Sequence, residues 1–130
     1  MSRDVGFRVW WNGKMYIPNY LHFSPEGKLF GVLIKEGVFC AIHEVQLMQF
    51  TGLFDCHKIG IYESDIVKVE DSALGIIEYS GASFMVNIGK NRISLNDLAP
   101  EYIEIVGNIY KGTEPLPELL PEFQKEVKHV

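Results

Sequence analysis

Turn signals recur about every ten residues along this chain and cut it into short apolar runs, a spacing that fits an all-β protein. The clearest is Asn12-Gly13, which lies between apolar runs at residues 7–11 and 14–17. A two-residue type I′ turn needs positive φ at both central residues, and Asn-Gly tolerates that best, so a hairpin is predicted there. Pro18 ends it, and Ser24-Pro25-Glu26-Gly27 makes the next turn. Residues 28–34 and 38–42 then read as a second strand pair across Lys35-Glu36-Gly37. Over residues 44–50, Val45, Leu47 and Gln49 alternate with Gln46, Met48 and Phe50; this reads as strand, although a short helix fits the length.

From Ile61 onward the pattern resembles an SH3-like barrel of five short strands. Ile66, Val67 and Val69 make the first; residues 74–79 and 83–88 pair across Ser80-Gly81-Ala82; residues 92–95 follow Gly89-Lys90-Asn91. Asn96-Asp97-Leu98 suits a single 3₁₀ turn, and residues 103–110 would close the barrel, hiding strand edges from other chains. Gly107 falls where that closing strand bends or passes close to another backbone. Beyond it, Leu116, Leu119, Leu120, Phe123 and Val127 lie at helical spacing, while Pro117 and Pro121 limit where a helix can begin. Such a tail docks on the barrel, docks on a neighbouring subunit, or frays. The expected organisation is a mainly β chain: an N-terminal β-hairpin region at 1–60 packed with a C-terminal SH3-like barrel at 61–112, then a short helical or irregular tail at 113–130.

A chain of 130 residues with 47% hydrophobic and 22% charged side chains reads as soluble and globular. No apolar run approaches the ~20 residues of a membrane span, and Met1-Ser2-Arg3-Asp4 lacks the apolar core of a signal peptide. The expectation is therefore a cytoplasmic protein, in which Cys40 and Cys56 stay as free thiols. Charge is uneven: from residue 61 onward twelve acidic side chains face six Lys and Arg, against five and six in the first sixty residues. An acidic C-terminal half repels phosphate backbones and disfavours broad nucleic-acid binding there.

Several blocks stand out by their order. Gln49-Phe50-Thr51-Gly52-Leu53 leads through Asp55 and a short loop to Ile61-Tyr62-Glu63-Ser64-Asp65-Ile66-Val67. Phe7-Arg8-Val9-Trp10 and Lys14-Met15-Tyr16 precede it; Gly75-Ile76-Ile77-Glu78-Tyr79 and Val106-Gly107-Asn108-Ile109-Tyr110 follow. Together they resemble the YopX family of phage and prophage proteins. The resemblance implies a phage or prophage source and a fold, in a family without an established biochemical role. In the loop, the family usually has Lys-Asn-Gly where this chain has Cys56, His57 and Lys58, and a Gly where it has Ser64. Because Gly accepts positive φ cheaply and Ser does not, either the loop takes another path or Gly60 assumes the left-handed position. Gly52, Asp65 and Gly107 are read as structural turn positions.

Residues able to do chemistry do not gather into a motif. Cys56-His57 would suit a thiolate nucleophile or a metal, but adjacent residues seldom point at one atom. His22, His43 and Cys40 lack zinc-ligand spacing, so no metal or cofactor is expected. Asp65 reads as a turn residue whose carboxylate accepts backbone N–H bonds; the rival reading pairs it with Glu63 in a metal-dependent hydrolase or nuclease. The N-terminal region is rich in aromatics, and alternation puts Trp10 and Trp11 on opposite faces, one inward and one toward solvent or a partner. Trp10, Trp11 and Tyr16 are thus candidate interface residues. The favoured reading is a non-catalytic protein-binding or assembly module that forms a homo-oligomer and binds a host or phage protein. A nucleic-acid-associated accessory factor using Arg3, Arg8, Lys14 and Lys28 is the alternative.

Overall fold

The computed structural model describes residues 4–70 and 73–113. It is mainly β, with three 3₁₀ turns as the only helical elements among the described residues. The chain divides into two compact units, residues 4–50 and residues from 51 onward. The expected tail at 113–130, with its apolar spacing from Leu116 to Val127, lies outside the described residues apart from Thr113.

In the first unit, β1 (Phe7–Trp11) and β2 (Lys14–Tyr16) form the expected hairpin, with Val9 opposite Tyr16 and Trp11 opposite Lys14. Asn12 and Gly13 have φ of 50° and 78°, the two positive values the type I′ turn demands. Next come β3 (Tyr20–Phe23), β4 (Leu29–Lys35) and β5 (Val38–Ala41), an antiparallel sheet in that order. The sequence reading had only the last two. A 3₁₀ turn at Ile42–Glu44 follows, so the expected strand over 44–50 starts later, as β6 (Gln46–Phe54). The Glu44 carboxylate accepts a 2.7 Å bond from the Ala41 N–H, an arrangement that strand backbone would not offer. The start of β6 pairs with β1, Phe7 facing Gln49. One apolar side of these strands forms a core of Val9, Val32, Ile34, Cys40 and Val45, with Trp11, Tyr16 and Leu21 packed against it. Burying a side chain of this size contributes about 1.5–3 kcal/mol, so cluster formation, more than strand propensity, holds these short strands together.

The second unit begins within β6. Gly52, inside that strand rather than in a turn, has φ of 85°, which a missing Cβ makes cheap. After β7 (Gly60–Tyr62), the strands β8 (Asp65–Val69), β9 (Ala73–Ser80), β10 (Ser83–Ile88) and β11 (Asn91–Ser94) run as an antiparallel meander. Then β12 (Ile103–Asn108) returns beside β8, and β13 (Gly112–Thr113) pairs with β12. The sheet thus has six strands, in the order β11-β10-β9-β8-β12-β13, where five were expected. Turns at Leu95–Asp97 and Pro100–Tyr102 connect β11 to β12. Its core is Ile61, Val67, Val69, Ile77, Val86, Leu95 and Ile103. Pairing of β12 with β8 shifts register between Ile105 and Gly107, a bulge next to the glycine expected to mark a bend.

Candidate functional site: an aromatic sheet face

Alternation along β3, β4 and β5 sends Leu21, Val32 and Cys40 to the core and leaves Tyr20, His22, Gly31, Leu33 and Phe39 on the other face. The register fixes the grouping, since Tyr20 lies opposite Leu33 and Leu33 opposite Phe39, while His22 faces Gly31. The His22 and Phe39 rings meet edge to face at 5.1 Å, and Phe30 completes a cluster at 6.2 Å from His22 and 6.3 Å from Phe39. Phe39 lies over Gly31, where any Cβ would collide with its ring. Glycine here therefore lets an aromatic ring lie against the strand backbone. Despite this packing, Tyr20 is 66%, Phe30 47% and Phe39 49% exposed.

The aromatics singled out in the sequence behave differently. Trp11 packs on Tyr16 at 6.0 Å, and both join the core cluster as half-buried residues. Trp10 is also half-buried, so neither Trp of the hairpin is turned wholly inward or wholly outward. Nothing in their spacing marked Tyr20, His22, Phe30 and Phe39 as neighbours, because that neighbourhood depends on register across three strands.

In the second unit the polar residues of the signature loop are occupied by backbone. Asp55 is buried; its Oδ1 accepts from the N–H groups of His57 at 2.9 Å and Ile59 at 3.0 Å, and its Oδ2 from Ile105 at 3.1 Å. Burial pushes its carboxyl pKa up, but those three bonds and the nearby His57 ring prevail and hold it below the ordinary value. Asp65, also buried, accepts from the Tyr62 N–H at 2.8 Å, the turn role expected of it. Asn108 Oδ1 accepts from Tyr110 at 2.9 Å and Lys111 at 3.2 Å, which turns the chain at the end of β12. Gly60 does not assume the left-handed position: it starts β7, and Ser64 itself adopts φ of 71°, with Lys58 at 65°. The Ser64 carbonyl and N–H are tied to Ile109 and Ile77, which fixes that path.

Cys56 is exposed and Cys40 buried, both as free thiols. Cys56 lines an open cleft of about 550 Å³ together with Lys68, Glu70, Glu101, Tyr102 and Glu104. His57, expected to be an unpartnered loop residue, instead hydrogen-bonds Glu104 at 3.1 Å, and Lys68 holds the other oxygen of that carboxylate at 3.2 Å. The His57 and Lys68 partners hold the Glu104 pKa below the usual range. Among the described residues, no three His, Cys, Asp or Glu side chains come together as a metal site. Among the same residues, no helix is long and apolar enough to cross a membrane.

The model of the YopX protein family matches residues 7–120, most of the chain. The chain belongs to the YopX family. The crystal structure of protein EF1440 from Enterococcus faecalis is 20% identical, with a TM-score of 0.64 over 92% of this chain and 99% of that one. Protein yopX from Bacillus subtilis is 21% identical, with a TM-score of 0.58 over 88% and 96% of the two chains. At such identities the likeness is one of fold. No curated protein matches the sequence. In this YopX chain the signature residues Asp55, Asp65 and Asn108 hold turns and strand ends, which accounts for their places beside Gly and short apolar runs.

Proposed function

We propose that this YopX-family chain is a phage or prophage protein that works without catalysis, as a protein-binding and self-assembling module of the host cytoplasm. The observation that carries this reading is the exposed aromatic cluster of His22, Phe30 and Phe39, joined on its sheet face by Tyr20. Aromatic side chains offer large contact area at low entropic cost and are enriched in the buried centres of protein interfaces. Trp10, Trp11 and Tyr16 keep part of their surface exposed and form the second candidate contact. Buried Asp55 and Asp65 support the non-catalytic reading, because backbone donors occupy both oxygens of Asp55 and the Oδ2 of Asp65. A nucleic-acid role would need the basic residues free, and the Arg8 Nε already points at the Met48 sulfur at 3.4 Å.

Sedimentation velocity at micromolar concentration tests the proposal. Wild type is expected to sediment as an oligomer, and Phe39→Ser or Tyr20→Ser to shift it to smaller species with unchanged far-UV circular dichroism. If Trp10→Ala and Trp11→Ala cause the shift instead, the hairpin is the interface. A wild type that stays monomeric refutes self-assembly, and salt-sensitive retention of single-stranded DNA would favour the accessory-factor reading.

A further inference from the structure

We infer that the aromatic face of β3, β4 and β5 is the docking site for residues 114–130 of a second copy of the chain. The inference rests on the self-assembly proposed above and names what covers the face. At about 200 Å² for a fully exposed aromatic residue, the exposed fractions of Tyr20, Phe30 and Phe39 leave about 320 Å² of residue surface open. A stable interface covers about 800 Å² per partner, so this face is too small to join two globular bodies by itself. It is well suited to a linear segment.

The chain carries such a segment. Residues 114–130 hold Leu116, Leu119, Leu120 and Phe123 among Pro115, Pro117 and Pro121. Proline fixes φ, which lowers the entropy lost when a segment is immobilised on a surface. Seventeen residues follow β13, and at ~3.3 Å per residue they reach up to about 55 Å. A compact unit of 47 residues, the size of residues 4–50, has a radius of gyration of ~9.5 Å, so that reach exceeds the span of the unit that carries the face. An exchanged segment adds the apolar contact that the small face lacks, and copies linked this way form a closed ring when the rotation between them closes.

Two differently tagged full-length chains, co-expressed in one cell, test the inference in a Cys56→Ser background. One carries Tyr20→Cys and the other Leu120→Cys, and the purified assembly is treated with a bismaleimide cross-linker. The expected result is an adduct joining the two tags, about tenfold stronger than when Ile59→Cys, also more than half exposed, replaces Tyr20→Cys. Adding Leu119→Ser and Phe123→Ser should remove most of the adduct. An oligomer in sedimentation whose adduct does not exceed the Ile59→Cys control overturns the docking while self-assembly stands. A wild type that is monomeric overturns both.

Discussion

Removing the Asp55 carboxylate should loosen the signature loop, leaving it tied to β12 through the Cys56 N–H on the Ile103 carbonyl and through His57 on Glu104. The two Asp55 oxygens accept three N–H bonds, two from the loop itself and one from Ile105 on β12. Bonds to a charged group contribute about 1.5–3 kcal/mol each. In Asp55→Ala, His57 and Ile59 lie in an exposed loop, so water can satisfy their N–H groups, whereas the half-buried Ile105 N–H is harder to rehydrate. Relief of the buried charge offsets part of the loss. The expected net cost is about 3–4 kcal/mol, a large share of the ~5–15 kcal/mol that stabilises a typical domain. Asp55→Asn keeps one acceptor oxygen but turns an NH₂ toward an N–H, so it should cost about 2–3 kcal/mol.

The pH dependence has a definite sign. The folded pKa of Asp55 lies below its ordinary value of 3.8, so its contribution is present above that value and is lost as pH falls through the folded pKa. The stability gap between wild type and Asp55→Ala should therefore narrow on acidification. Urea unfolding followed by far-UV circular dichroism, from pH 7 down to about pH 3, measures it. A cost below about 0.5 kcal/mol for Asp55→Ala at neutral pH would refute the reasoning, because three satisfied donors cannot be lost so cheaply.

Ala82 turns the β9–β10 hairpin with φ of 66°, so Ala82→Gly should raise stability by about 0.5–1 kcal/mol, seen as a higher melting temperature. Gly89, in an exposed hairpin turn, has φ of 60°, a conformation strained for a β-branched residue, so Gly89→Val should lower the melting temperature although open space surrounds it; an unchanged melting temperature would count against that turn. Val86→Ala, in the core of the second unit, should cost about 2–4 kcal/mol by urea unfolding, while Tyr79→Ala, more than half exposed, should stay within about 1 kcal/mol. Cys56→Ser should leave the melting temperature unchanged and the protein free of bound zinc, since its thiol sits on the surface.

Much of the fold could be read from local chemistry. The Asn12-Gly13, Gly81-Ala82 and Gly89-Lys90 turns sit where turn residues interrupt apolar runs, and β10 matches its expected span. Strand β3 escaped because four residues between Pro18 and Pro25 are too short to show a period, and its outer side chains are aromatic rather than polar. Ser64 hid the left-handed turn that a Gly would have announced. Asp55 shows in sequence as a turn former, but its third partner, Ile105, lies fifty residues away and only the folded sheet brings it near. The aromatic face was hidden for the same reason: Tyr20, Phe30 and Phe39 belong to three strands, and register sets Tyr20 on the face where the Phe30 and Phe39 rings approach each other.

The division of the chain between Phe50 and Thr51 leaves both tryptophans, Trp10 and Trp11, in the first unit. Tryptophan dominates emission excited near the red edge of protein absorption, so the native fluorescence of this protein is a label confined to one unit. Circular dichroism weighs every strand. Comparing the two signals during one unfolding experiment separates the loss of residues 4–50 from the loss of the rest, with no label attached and no residue changed.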